Sequence, residues 1–198
     1  TGNDVLRQRF QNFILTRESI VHWTGQPLEG KDYDSLLIAW VAAWNASSNT
    51  VGLAKNRSMI SLGDGQQDRP ECTHLCNDRS LRAGHDAGGS VFASDAFFPY
   101  AISVRPMITH ERIASWIKLL SGTHNLPAGL RLDNVLQIKN EITALDNREG
   151  TEILADAGCI GGVVPYDGNH KDEVAQFFAE RKMSVAFVAP ENRGFSKH

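Results

Sequence analysis

Residues 150–198 leave this chain little freedom in how it can fold. Two short apolar runs, Ile160-Gly161-Gly162-Val163-Val164 and Val185-Ala186-Phe187-Val188, are separated by a helix-period segment over about residues 171–182, and a further helix ends at Gly158. A strand, a helix and a second strand in succession bring the chain back in the same direction, so part of the sheet is predicted to be parallel. Strands that are apolar at nearly every position need cover on both faces. The pattern therefore predicts an α/β fold, in which residues 50–62, 90–94, 160–165 and 185–188 form one mixed sheet with helices on both sides.

The rest of the chain supplies those helices. Residues 34–46 carry Leu36, Leu37, Trp40, Val41 and Trp44, apolar on most faces of a helix, which places this helix deep against the sheet. Ser47-Ser48-Asn49 ends it. Residues 50–54 and 58–62, separated by Lys55-Asn56-Arg57, read as a hairpin, and after the loop of residues 63–69 Pro70 suits the first turn of another helix. Leu6, Phe10, Phe13 and Ile14, behind Asn3 or Asp4, predict an amphipathic first helix. Residues 102–148 read as a helical insertion within a single domain spanning 1–198. Thr109 is predicted to cap one of its helices (Ile113, Trp116, Ile117, Leu120) and Asp133 the other (Val135, Ile138, Ile142, Leu145).

A formal charge of −3 on 198 residues, with both signs interspersed, gives no basic footprint for a nucleic acid polymer or an anionic membrane. A small polar, anionic or nucleotide-like metabolite fits better. The longest apolar run, residues 36–44, is far short of the roughly 20 needed to cross a bilayer. Thr1-Gly2-Asn3-Asp4 shows no basic stretch followed by an apolar block, so a cytoplasmic location is expected. Three cysteines cannot all pair, which favours reduced thiols. Cys72 and Cys76 bracket His74, yet no second Cys/His pair completes the about four ligands of a zinc site, so helix packing is the expected role and no metal is expected. The histidines at 22, 74, 85, 110, 124, 170 and 198 show no spacing that forms a nucleophile-base pair.

The candidate site residues cluster where elements end. In Ser94-Asp95-Ala96-Phe97-Phe98-Pro99-Tyr100 an acid and two aromatics emerge where a buried strand stops, and Pro99 rules out a regular continuation. Such strand ends are where α/β folds place ligands, although two core phenylalanines behind a capping Asp fit the residues equally well. Asn49 offers an amide donor and acceptor at a helix-to-strand junction, or is a turn residue. Gln66, Gln67 and Arg69, in a glycine-containing loop ahead of a helix, suit an anion or a polar heterocycle, or a solvated turn. Residues 165–169 join another strand to a helix, and Arg193 lies beyond the last strand.

The order of these pieces resembles the carboxy-terminal half of the AICAR transformylase domain of the bifunctional purine-biosynthesis protein. The resemblance runs through Ser48-Asn49-Thr50-Val51-Gly52-Leu53-Ala54-Lys55, Gly63-Asp64-Gly65-Gln66-Gln67-Asp68-Arg69 and the aromatic turn, and resumes in the last two strands and the Arg193-Gly194-Phe195-Ser196-Lys197-His198 tail. It implies a three-layer, cytidine-deaminase-like α/β/α fold without zinc. The implied activity is transfer of a formyl group from 10-formyltetrahydrofolate to the amine of a ribonucleotide carboxamide. By resemblance Asn49 holds the carboxamide region and is the catalytic candidate. Gln66, Gln67, Arg69, Asp95, Phe97 and Phe98 line the substrate crevice, Tyr100 and Gly168 the cofactor side, and Arg193 reaches the phosphate. The family's Lys-His pair lies in the half that precedes this match. Ile102 stands where the family has an Asp, and Pro165-Tyr166-Asp167-Gly168 replaces its Pro-Gly-Gly-Ser turn. The resemblance to one half of a two-halved domain, together with the apolar stripes of the first helix and of the inserted helices with Trp116 and Leu120, leads us to expect a homodimer, and a histidine of the partner copy such as His110 or His124 is a candidate for the missing acid-base group. A non-catalytic binding module or partner subunit is the alternative.

Overall fold

The computed structural model describes residues 13–103 and 148–193. The chain divides into a unit of Thr1–Ala101 with Glu149–His198 and a second unit of Ile102–Arg148. The expected first helix lies almost wholly outside the described residues, as do the two helices expected within 104–147.

In the first unit six strands form one sheet: β1 (Ile20–Trp23), β2 (Val51–Lys55), β3 (Ser58–Gly63), β4 (Val91–Ser94), β5 (Gly161–Pro165) and β6 (Ser184–Val188), in the order β1-β6-β5-β4-β2-β3. β4, β5 and β6 are parallel neighbours, with Ala93 opposite Val163 and Val163 opposite Ala186. The β2–β3 hairpin and β1 attach antiparallel at the two sides. The mixed sheet predicted from the apolar runs is present, and β1 is an addition to it. Four residues without an alternating pattern carry little strand signal, and β1 is held through contacts distant in sequence. Thr24 Oγ1 donates to Met183 O at 2.6 Å and accepts from Val185 N at 2.9 Å.

Side-chain alternation sorts the strands between two cores. Ala54, Val91, Ala93, Val163, Ala186 and Val188 pack against Leu36, Ala39, Trp40 and Ala43 of α1 (Gly30–Asn45). The small residues on this sheet face leave room for the Trp40 ring. Val51, Leu53, Phe92, Val164, Val185 and Phe187 face the other way. They meet α2 (Arg69–Arg82), α3 (Gly150–Asp156) and α4 (Lys171–Glu180) through Cys72, Cys76, Leu154, Val174, Phe177 and Phe178. Helices therefore cover both faces, giving three α/β/α layers.

The turns follow local chemistry. Asn56 and Arg57 take φ of 53° and 63°, the mirror-image two-residue turn whose twist matches a hairpin. The hairpin loop is thus one residue shorter than the sequence suggests, because Lys55 still pairs with Ser58. α3 and α4 both end in a left-handed residue whose N–H, with that of the next residue, closes the last turn: Gly158 donates to Ala155 and Cys159 to Leu154, while Lys182 donates to Ala179 and Met183 to Phe178. Gly158 sits at φ 79° without strain, whereas Lys182 sits at φ 57° with a side chain. Lys182→Gly is expected to raise the unfolding free energy by about 1 kcal/mol, since the left-handed penalty disappears. Urea unfolding measures it, and a fall in stability would refute it.

Candidate functional site

Sheet topology gathers the candidate residues at one edge. β4, β5 and β6 end there in parallel, while β2, antiparallel to β4, begins there with Val51 opposite Ser94, and β3 ends there with Gly63 opposite Val51. The segments around residues 47–50, 64–69, 94–100, 165–170 and 189–193 must therefore meet at this edge.

The first four of these segments enclose two adjoining hollows. The first, about 450 Å³, is lined by Ser48, Asn49, Gln67, Asp68, Arg69, Ala96, Phe97 and Pro99. The second, about 210 Å³, is lined by Phe97, Pro99, Tyr100, Gly168, Asn169 and His170. Phe97 and Pro99 belong to both and form the partition. Gly168 lies on the Phe97 ring so closely that a Cβ there would come within 2.7 Å of it, at a φ of 89°. Only glycine fits, and its backbone holds one side of the ring.

In the first hollow the Asn49 loop is zipped to the following loop. Asn49 N and Nδ2 both donate to Gln66 O, at 3.2 and 2.8 Å, and Gly65 N donates to Ser47 O at 2.9 Å. The Asn49 side chain is thereby oriented, and its Oδ1 accepts no hydrogen bond from the described residues. Arg69 opens α2, whose N-cap Asp68 accepts from Glu71 N at 2.8 Å. The Arg69 side chain is only 7% exposed. Its Nη1 donates to Asp95 Oδ1 at 2.5 Å, to Ser94 Oγ at 3.0 Å and to Thr50 O at 3.5 Å. Its Nε and Nη2 make no hydrogen bond to the described residues.

Several candidates are placed differently from the sequence expectation. Asp95, expected to contact substrate, is 2% exposed and is spent on Arg69 and on Thr50 N at 2.9 Å. Phe98, expected to line the crevice, is buried, edge-on to Phe92 and Phe178 with centroids 6.1 and 6.3 Å apart. Of the two readings of the aromatic turn, Phe97 follows the ligand-facing one and Phe98 the core one, because successive side chains leave the chain in opposite directions. Gln66 contributes its carbonyl to Asn49, and its side chain donates to Asp64 O at 3.1 Å. It does not line either hollow. Arg193 lines neither hollow: its Nη1 pairs with Asp167 Oδ2 at 2.5 Å, beside Gly168. The crevice expected to unite Asn49, Arg69, Phe97 and Arg193 therefore contains the first three.

His170 lines the second hollow without having been singled out in the sequence. Its ring lies 5.2 Å from that of Tyr100, and its Nδ1 is 3.1 Å from Glu173 Oε1. Its only sequence signal is its place between the β5 turn and α4. Asn169, beside it, is likewise a turn residue brought into the wall by packing.

The thiols are structural. Cys72 Sγ lies 3.1 Å from both Asn49 O and Gly63 O, behind the crevice wall. Burial pushes the Cys72 and Cys159 thiols up to about 12 and raises that of Cys76 as well. Since the thiolate is the reactive form, iodoacetamide at pH 8 is expected to leave all three unlabelled in the native protein and to label them in urea. Rapid native labelling of Cys72, read by mass spectrometry, would show that this wall opens. Among the described residues no three His, Cys, Asp or Glu side chains cluster as metal ligands, and no helix is long and apolar enough to cross a membrane.

A mixed sheet with a crevice at the carboxyl ends of its parallel strands is the arrangement at which α/β folds commonly place ligands. Sequence comparisons show what the chain is similar to. Residues 1–79 match the family model of the AICARFT/IMPCHase bienzyme. The bifunctional purine biosynthesis protein PurH of Chlorobium phaeobacteroides (strain BS1) is 33% identical over 97 residues, which is 49% of this chain and 18% of that protein. The PurH of Chlorobaculum parvum is 34% identical over the same shares, and that of Persephonella marina 36% identical over 74 residues, 37% of this chain and 14% of that protein. The chain thus spans under a fifth of the length of the relatives it matches. Over the matched residues the chain is similar to AICAR transformylase/IMP cyclohydrolase proteins.

Proposed function

We propose that the crevice binds a nucleotide carboxamide of the AICAR type and that the domain transfers a formyl group to its amine from 10-formyltetrahydrofolate. The observation that carries this is the convergence of Asn49, Arg69 and Phe97 on one hollow. Asn49 Oδ1 is an open acceptor and the free edge of Arg69 an open donor, a pair complementary to the N–H and C=O of a carboxamide. Phe97 gives a flat heterocycle a fixed ring to stack on. The second hollow, with Tyr100, Gly168 and His170, takes the folate ring on the other side of the same partition. Transfer in this reading requires the formyl carbon and the amine to meet at the rim that the two hollows share, past Phe97 and Pro99. Arg193, which lines neither hollow and pairs with Asp167, has no part in this reading. A cytidine-deaminase-like lineage, a cytoplasmic location and reduced thiols go with it.

One observation favours the alternative of a binding module. Among the described residues lining the first hollow, Asp68 and Arg69 are the only ionisable ones; Arg69 is a donor, and Asp68 is engaged as the N-cap of α2. A homodimer that brings His110 or His124 of a second copy to the crevice would complete it, and light scattering at micromolar concentration tests for the dimer. Incubation with AICAR and 10-formyltetrahydrofolate, followed by the folate absorbance change, is expected to show turnover that Asn49→Ala abolishes. Binding of AICAR without turnover would establish the binding module. Failure to bind AICAR at all would refute the carboxamide reading.

A further inference from the structure

We propose that Asp95 is the positioning residue of the crevice, holding through one carboxylate oxygen both the arginine that donates into the first hollow and the backbone that carries Asn49. For its ligand this inference rests on the carboxamide reading. At 2% exposure Asp95 touches no ligand. Its Oδ1 accepts from Thr50 N at 2.9 Å, the residue after Asn49, and from Arg69 Nη1 at 2.5 Å. Two residues further along the same turn stands Phe97. Three walls of the hollow, from the start of β2, the start of α2 and the end of β4, are therefore tied at a single atom.

The chemistry of the tether is selective. Among the described residues Arg69 is grasped only by Nη1, which leaves Nε and Nη2 without a described partner in a residue that lines the hollow. A guanidinium held at one nitrogen by a charged acceptor presents a fixed fork, and less freedom is lost when it donates to a ligand. The arrangement is also poor as pure architecture. Asp95 Oδ2 is buried with no hydrogen-bond partner among the described residues, and a buried ion pair with an unsatisfied oxygen is no more stabilising than apolar side chains of similar volume. Such a pair beside a crevice is what a site needing an oriented cation would hold.

The test reads Arg69 directly and then through a ligand. In the free protein the Arg69 guanidinium nitrogen signals, observed by 15N NMR, are expected to show hindered rotation about the Cζ–Nη1 bond. In Asp95→Asn, which keeps an acceptor for Thr50 N and loses the charge, they are expected to average. Titrated with AICAR, Asp95→Asn should bind about 10-fold or more weakly, the scale of one charge-assisted hydrogen bond lost. Ser94→Ala, which removes a lesser acceptor of the same nitrogen, should change affinity less than about 2-fold. In an Arg69→Met background, Asp95→Asn should have no further effect on affinity. Hindered rotation that persists in Asp95→Asn, or equal losses for Ser94→Ala and Asp95→Asn, overturns the proposal. Should Asp95→Asn not fold, the wild-type spectrum decides, because a freely rotating guanidinium there is incompatible with the tether. If AICAR does not bind the wild type, the carboxamide reading falls and the NMR comparison alone settles the role of Asp95.

Discussion

Arg69→Met is expected to lower the unfolding free energy by about 3 to 5 kcal/mol, because it leaves Asp95 as a buried charge without its partner. The pair is nearly inaccessible, at 7% and 2% side-chain exposure, so water cannot replace the lost cation. Removing both members is a different experiment. Arg69→Met/Asp95→Leu takes the desolvated charges away together and is expected to recover most of the loss, since well-packed apolar side chains are as good as a buried ion pair for stability. Urea unfolding of both variants at neutral pH measures the contrast. A double variant as unstable as Arg69→Met would place the loss in packing around the arginine stem. The folded double variant should still fail to bind AICAR, which separates what the pair does for the site from what it does for the fold.

Phe178→Ala is expected to cost about 3 to 5 kcal/mol, the usual price of truncating a fully buried aromatic side chain. The Phe178 ring lies 5.6 Å from Phe92, 6.3 Å from Phe98 and 5.9 Å from Phe177, so its removal opens a cavity directly beneath the aromatic turn. Phe98 anchors that turn, and Phe97 next to it forms the partition between the hollows. Ligand affinity should therefore fall along with stability. Phe178→Leu fills most of the space and should cost about 1 to 2 kcal/mol, less than truncation to Ala because the residual cavity is small, with affinity retained. Thermal unfolding and AICAR titration on the same samples test the link, and an unchanged affinity in a folded Phe178→Ala protein would show that the turn holds its shape without this support.

The parallel centre of the sheet could be read from the chain because β5 and β6 announce themselves twice. Val163, Val164, Val185, Ala186, Phe187 and Val188 are apolar at consecutive positions, and the segment between them has a helical period. Both signals are local, and the direction of β6 relative to β5 follows from chain geometry. The hairpin and the start of α2 were equally local, carried by Lys55-Asn56-Arg57 and by Pro70. β1 was not legible, since Ile20 to Trp23 become a strand only when β6 offers an edge, and the Thr24 contacts that secure it join residues about 160 apart.

The sequence by itself determined which residue types stand at the strand ends: an amide at 49, an arginine at 69, an acid at 95 and aromatics at 97, 98 and 100. Their roles were decided by tertiary structure. Asp95 turned inward because a buried guanidinium and a backbone N–H required its charge, Phe98 because the cavity between Phe92 and Phe178 took its ring, and Arg193 toward Asp167 because that carboxylate was within reach. His170 entered the site because the β5 turn carries it against Tyr100. A local pattern can say that a side chain leaves a strand end, but which way it points is a competition among partners brought together from remote parts of the chain, and only the assembled fold determines which of them are near enough to win.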